Sequence, residues 1–266
     1  MFHFEFNPSA PTLLVIAHPG HELRVWGWVT SVRPLVSVLT DGSGSTGHPR
    51  LDVTRASLER IGARPESPFG PLTDRMVYTS LLTGEHEPLL QLADRLAHAI
   101  VVNGVQQVAS DAIEGYNPTH DVCALLARAA VEVAAARGRS AMSLEFALAE
   151  GPPSEASLEG LRYELSDEDL DAKVELARSY AREAGPMLEQ EVEALLVRHG
   201  RQAFRTETLA RTSDMPLERR FSDAPPYYET HGERRVGEGK YAAVVRLQDH
   251  LLPFERRLSD WVRTAS

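Results

Sequence analysis

Apolar and polar positions fall into well-separated blocks along this chain. Residues 12–17, TLLVIA, form an uninterrupted small and apolar run that stops at His18, Pro19, Gly20 and His21. Such a run, bounded by turn residues, predicts a buried central strand, because Pro19 removes a ladder donor and Gly20 permits a sharp turn. Leu23, Trp26, Val29 and Val32 then recur at helical spacing up to Pro34 and predict a crossover helix. Residues 35–39 read as a second strand. The loop GSGSTGHP follows, and then a helix with Leu51, Leu58 and Ile61 turned inward. Strand, helix, strand, helix in this order predicts a parallel sheet with right-handed crossovers.

Residues 64–87 are rich in Pro, Gly and Ser, and their weak periodicity predicts an irregular excursion over the sheet edge with a short strand at 76–78. Helical spacing returns over 86–102 through Leu89, Leu90, Leu92, Ala93, Leu96 and Ile100. A strand over 105–109 runs into Ser110, Asp111 and the loop AIEGYNPT. Thr119 is the expected N-cap of a long helix to Ala136, with Gly138 as its stop. His120 is thereby placed in the first turn of a helix just past a strand's carboxyl end, the edge at which open α/β sheets bind ligands. A strand over 140–149 and a loop over 151–155 come next. Ser166, followed by Asp167, Glu168 and Asp169, caps a helix to about residue 183, and Gly185 and Pro186 separate it from a second helix to 199. Residues 205–239 match neither period, and 240–261 are helical with a break at Pro253. No repeat or low-complexity linker divides the chain, so one domain over 1–266 is expected, irregular at about 200–240.

Charge narrows the partners. A net charge of -10 excludes a broad phosphate-binding face, which needs clustered Lys and Arg, and leaves small molecules as the expected substrates, with no nucleic acid. The lone Cys123 excludes an internal disulfide framework and suits a reducing cytosol. The start, MFHFEFNPSAP, has neither a basic n-region nor a long apolar core, so no secretory signal is expected. No apolar run reaches about 18 residues, so no transmembrane segment is expected either. The expected location is cytoplasmic, and homo-oligomerisation is left open.

The candidate chemistry lies in the histidines. Neutral imidazole is the commonest zinc ligand, and a three-ligand catalytic site leaves one position for water. His18 and His21 come from one strand end and His120 from another strand-to-helix junction, so a parallel sheet can bring all three to one edge. Two surface histidines in a turn are the alternative. Asp41 and Asp111, each at a strand end, either orient a ligand histidine through its other ring nitrogen or close an Asx-type turn. Cys123, on the helix face of His120, suits a small buried role better than a fourth ligand. Gly42, Gly44 and Gly47 spell G-x-G-x-x-G, but His48 and Pro49 precede any helix, so the loop reads as a pocket wall rather than a dinucleotide site. Trp26 and Trp28 read as packing residues, and His250 as a surface or partly buried residue.

The stretch AHPGHE with its preceding strand resembles the AHPDDE signature of the LmbE-like (PIG-L, N-acetylglucosaminyl-phosphatidylinositol de-N-acetylase) family of zinc-dependent amide hydrolases. VSVLTDG, GYNPTHD and YELSDEDLDAKVELARSY are similar, in order, to further stretches of that family, over roughly residues 12 to 210. The resemblance implies an LmbE-like α/β fold: a Rossmann-like, mostly parallel sheet flanked by helices. It also implies one Zn2+ per chain. His18 and His120 align with metal ligands of the family, and Glu22 with the Glu after its double Asp. His21 stands where the family has its metal-binding Asp, and Gly20 where it has its catalytic base. Asn117 replaces the family's other histidine in the second motif, and Thr119 replaces an Asp.

Three neutral ligands would leave zinc its full charge and so strengthen it as a Lewis acid; a three-histidine zinc in carbonic anhydrase brings its water to a pKa of about 7 without a dedicated base. Amide cleavage also needs a proton for the leaving amine. Tyr116 could polarise the carbonyl, and Glu229, His231 or Glu233, in PPYYETHGERR, could serve as acid if that segment enters the site rather than forming a solvated loop. The resulting expectation is a zinc-dependent hydrolase that removes an N-acyl group, above all N-acetyl, from an amino sugar or related small polar substrate with zinc-bound hydroxide. Glu22, Tyr116, Asn117 and His231 are the expected catalytic groups, Arg24, Asp41 and Glu229 the substrate-binding ones, and His18, His21 and His120 the metal ligands. The alternatives are a catalytically impaired metal- or sugar-binding homologue and a metal-dependent esterase.

Overall fold

In the computed structural model, which describes residues 7–44, 47–148 and 160–265, every residue of β1 (Thr12–Ile16) is buried. β1 pairs in parallel with β2 (Leu35–Thr40) on one side and with β4 (Gln107–Asp111) on the other. β3 (Arg64–Leu72) adds in parallel outside β2, and β5 (Met142–Phe146) outside β4. β7 (Thr206–Arg211) and β6 (Leu161–Glu164) then extend the sheet by antiparallel pairings, so that the order across it is β3-β2-β1-β4-β5-β7-β6. This is the mostly parallel α/β sheet that the strand-helix alternation predicts.

Alternate residues of β1 serve opposite faces, as the pleat requires. Leu14 and Ile16 pack with Val36, Val38 and Phe146 beneath Trp28 and Val29 of α1 (Trp26–Val32) and Leu58 of α2 (Leu51–Arg60). Leu13 and Val15 face the other core, where they meet α3 (Asp74–Thr83), α4 (Glu87–Val102), α5 (Pro118–Ala136) and α10 (Leu252–Ala265). A sheet covered on both faces explains why its central strands read as continuous apolar runs. Two more helices, α6 (Asp167–Ala184) and α7 (Pro186–His199), form a hairpin. Ser166 caps α6 as expected, its Oγ accepting from the Asp169 N–H at 3.1 Å.

One buried ion pair ties this hairpin to the sheet. α1 has no capping side chain of its own, and its first amides are met from β7: Glu207 accepts from the N–H of Gly27 at 2.9 Å and of Trp28 at 3.0 Å. Lys173 of α6 donates to the same carboxylate at 2.8 Å, and also to the carbonyls of Arg24 and Phe204. Burial lowers the Lys173 pKa, against which the Glu207 charge works.

The structure departs from the sequence pattern in several places. Residues 64–87 are not an irregular excursion. They form the edge strand β3, which tolerates its three prolines because an edge strand need not donate along its whole length. Register shifts against β2 erase the period-2 signal. The strand expected at 76–78 is helix α3, capped by the Thr73 hydroxyl on the Met76 N–H and closed by Gly84 in the left-handed conformation. β4 begins at Gln107 rather than Val105, where its pairing with Thr12 starts. Asn117, not Thr119, caps α5, with Pro118 as first helical residue. The unassigned stretch contains β7, α8 (Leu217–Arg220) and α9 (Tyr227–Gly237). Pro253 does not break the final helix; it sits in the first turn of α10, after a π-turn over Leu247–Leu251. The loop expected at 151–155 lies outside the described residues. No helix among the described residues is long and apolar enough to cross a membrane.

Candidate metal centre

The chain leaves β1 towards β2 on one side, while β4 lies on the other, so a crevice opens beyond the carboxyl ends of β1 and β4, at the switch point of the sheet. His18 follows β1 directly. Gly20, at φ 104°, turns the chain so that His21 begins a short 3-10 turn and faces back. The third histidine arrives from the neighbouring strand: Asn117 Oδ1 accepts the Thr119 N–H at 2.8 Å, and this cap starts α5 so that His120 lies in its first turn. Ring centroids are 5.0 Å apart for His18 and His21, 5.0 Å for His18 and His120, and 4.7 Å for His21 and His120. One nitrogen from each lies within 4.8 Å of the others, close enough to share a metal ion.

Two carboxylates orient this trio. Asp111, fully buried at the end of β4, accepts the Ala17 N–H at 2.9 Å and meets His21 Nδ1 at 2.9 Å with the same Oδ2. With Nδ1–H given to Asp111, His21 presents the lone pair of Nε2. Asp74, at the start of α3, places Oδ1 at 2.6 Å from His18 Nε2 and accepts from Thr119 Oγ1 at 3.1 Å, leaving His18 its Nδ1. Of the two strand-end aspartates, Asp111 is thus the orienting one. Asp41 closes an Asx turn, its Oδ1 accepting from Ser43 N–H and Oγ–H.

The electrostatics favour neutral imidazoles at His21 and His120. Burial, reinforced by the neighbouring His18, holds His21 well below the usual histidine range, and burial with the charges of His21 and His18 does the same for His120. Burial pushes Asp111 up to about 6. Burial also works to raise Asp74, but its bonds from His18 and Thr119 prevail and hold it below the usual carboxylate range. The Nδ1 of His120 is buried without a hydrogen-bond partner. Three imidazoles converging with a ring nitrogen each to spare, one of them an orphaned buried atom, fit a divalent transition metal.

Above the histidines lies a cavity of about 540 Å³. It gathers His18, His21, His120, Arg24, Tyr116 and Asn117, so six of the sequence-predicted residues meet here. The others do not line it. Glu22 is buried beneath the turn, where its Oε2 accepts the Gly20 N–H at 2.8 Å and so holds the turn, and burial pushes its pKa up to about 7. Glu229 is engaged by the Leu247 N–H and by Arg246, and so caps the π-turn. His231 lines a smaller adjoining cavity of about 110 Å³ with Tyr78, Tyr227 and Tyr241; Tyr116 and Asn117 border both. Tyr116 stacks on Tyr227 at 5.3 Å, and Asn117 has its carbonyl oxygen committed to capping α5. Gly42, Ser43 and Gly44 form part of the cavity wall. Cys123 is buried against the Val15 carbonyl, and burial raises its thiol pKa, in keeping with a small packing residue.

No family model matches the sequence, and no curated protein matches it. Solved structures do share its architecture. N,N'-diacetylchitobiose deacetylase from Pyrococcus horikoshii aligns at 13% identity over 78% of this chain and 88% of that one, with a TM-score of 0.52. The deacetylase of the antimicrobial A40926 pseudoaglycone aligns at 18% over 76% and 96%, also with a TM-score of 0.52. A deacetylase of teicoplanin biosynthesis aligns at 14% over 77% and 100%, with a TM-score of 0.51. The chain shares its fold with these deacetylases. The fold implied by AHPGHE and its companion stretches is therefore the one present.

On this LmbE-like sheet, Asp74 is the site residue that sequence reasoning missed. It belongs to the segment whose pattern predicts an irregular excursion, and its only local signal is Thr73, a good N-cap three residues before an apolar period at Met76, Val77 and Leu81. Nothing local ties it to His18, 56 residues earlier.

Proposed function

We propose that the protein is a zinc-dependent hydrolase that removes an N-acyl group from an amino sugar or similar small polar amine. The observation that carries this reading is the convergence of His18, His21 and His120 on the floor of a cavity at the sheet's switch point. The proteins that share its fold are named as deacetylases, which supports the reaction class by analogy.

His18, His21 and His120 would hold the metal, which when bound supplies Lewis acidity towards water and the amide carbonyl. Asp111 fixes the His21 tautomer, and Asp74 holds the His18 ring. Asp74 also lines the cavity with a carboxylate kept ionised, so we assign it the proton transfer that Gly20 cannot perform. It takes a proton from the attacking water, whose oxygen bonds to the amide carbon. As the C–N bond breaks, the proton passes to the leaving nitrogen. A carboxylic acid and an amine result, and once the acid gives its remaining proton to the amine the products are a carboxylate and an ammonium. Tyr116 and Arg24 border the place where the polar part of the substrate would sit. The single free cysteine fits the cytosol as the site of action.

Elemental analysis and turnover test this reading together. The full chain is expected to bind about one zinc, to lose it in His21→Ala, and to release amine from N-acetyl amino sugars faster than alcohol from matched acyl esters. Unchanged zinc in His21→Ala, or bound zinc with no amide turnover, would overturn it.

A further inference from the structure

α7 carries an apolar stripe that no core accounts for. Leu188, Val192, Leu195 and Leu196 recur at helical spacing, yet each is only half-buried, and neither hydrophobic core includes any described side chain of this helix. The helix packs chiefly against α6 and the 3-10 turn at Arg201–Phe204. An amphipathic helix buries such a stripe against something. Here the stripe faces the metal-centre cavity, where it joins Val174 and Ala177 of α6. The cavity therefore has two ends: imidazoles, Asp74, Arg24 and Asn117 at the sheet, and aliphatic side chains under the hairpin. Glu191, exposed, stands at its rim.

We infer that the hairpin end receives the linear aliphatic chain of a medium-chain N-acyl substrate, so that the amide to be cut is that of a fatty acid rather than of acetate. This rests on the hydrolase reading above and names its substrate class. Leu188 to Leu195 spans about 10 Å at 1.5 Å per residue, the reach of roughly eight extended methylenes. A volume of about 540 Å³ exceeds what an acetyl group needs and falls within the range of sites that enclose whole small ligands. The polar head has its own place, because Tyr116 and Asn117 border the adjoining tyrosine-lined cavity, and the hairpin residues do not. That arrangement puts the acyl chain under α6 and α7 and the amine side towards α9.

The test is a chain-length series on the full, zinc-loaded protein: N-acetyl-, N-butanoyl-, N-hexanoyl- and N-octanoyl-glucosamine for turnover, and the matching fatty acids for calorimetric binding. Each added methylene is expected to tighten binding and lower KM about fourfold, levelling off near eight carbons. Val192→Asp is expected to flatten the series. Ala177→Trp, which fills the cavity without cutting into either core, is expected to move the plateau to shorter chains. A flat series in the wild type with brisk N-acetyl turnover would overturn the inference and leave the hydrolase reading standing. A steep fatty-acid binding series with no turnover of any amide would do the reverse. A steep series that both variants leave untouched would also overturn the inference, by placing the chain elsewhere.

Discussion

Asp74 Oδ1 lies 2.6 Å from His18 Nε2, although the two residues come from different strand ends and neither neighbours the other in sequence. The contact brings a carboxylate into a site whose first motif has Gly20 where the family that AHPGHE resembles keeps its base. If Asp74 performs the proton transfer, Asp74→Asn should lower kcat by about 10²- to 10⁴-fold while zinc per chain stays near one. Steady-state kinetics with metal analysis on the same sample checks this. Loss of zinc in step with activity would make Asp74 a metal-holding group instead.

Asp111 acts on His21 in a different way. Its Oδ2 is shared between His21 Nδ1 and the Ala17 N–H, so the imidazole and the end of β1 are locked to one atom. Asp111→Asn offers either its carbonyl or its amide, and the loss of a charged acceptor weakens the hold on the tautomer. Zinc affinity should fall about 10- to 100-fold, as read by competition with a chromogenic chelator, with the fold retained by circular dichroism. An unchanged affinity would show that the backbone turn alone orients His21.

Much of this arrangement was legible in the sequence, and the illegible part has a common cause. The run at residues 12–17, the helix spacing after His86 and the Ser166 cap are local signals, and each matches an observed element. The meeting of His18, His21 and His120 followed from parallel topology, since strand ends in such a sheet share an edge. Asp74 and the Glu207 cap on α1 could not be read that way. Both act across the chain: Glu207 reaches Gly27 over 180 residues, and no periodicity encodes that contact. Glu22, singled out through the resemblance, and Glu229, from a stretch dense with titratable groups, show what sequence hides in the other direction: a backbone amide claims one carboxylate oxygen of each.

Asp121, beside His120, should leave a signature in stability. Its Oδ1 accepts the N–H of Glu114 and Gly115, holding the loop that carries Tyr116, while Oδ2 is buried without a partner. Burial pushes this carboxyl from 3.8 up to about 7, with the two amides working against the shift. A carboxyl whose folded pKa lies above its unfolded one binds its proton more tightly when folded. Its contribution is therefore fully present below about pH 4 and lost as pH rises through about 7. The slope is at most about 1.4 kcal/mol per pH unit. Asp121→Asn keeps the acceptor and removes the ionisation. Urea denaturation of the zinc-depleted protein from pH 4 to 8 should show a shallower decline in the variant, and higher stability than wild type at pH 8. Identical declines would locate the titration elsewhere, Glu22 being the other carboxyl pushed to about 7.

Gly20 stands where the family that AHPGHE resembles keeps its base. Its φ of 104° is a conformation that side chains resist, and a Cβ there would stand 3.1 Å from Tyr180 Cε1. Tyr180 cannot easily yield, because its ring is buried and its hydroxyl is 3.1 Å from Thr54 Oγ1. Gly20→Ala should therefore cost about 1–3 kcal/mol in chemical denaturation. Gly20→Asp should cost at least as much, and because the turn spaces His18 from His21, it should weaken zinc binding as well. No gain in rate is expected from the added carboxylate, since the turn is built around glycine and Asp74 already stands at the cavity. A large increase in kcat for Gly20→Asp would contradict both points: the turn would have accepted a side chain, and the proton transfer assigned to Asp74 would have been the missing step.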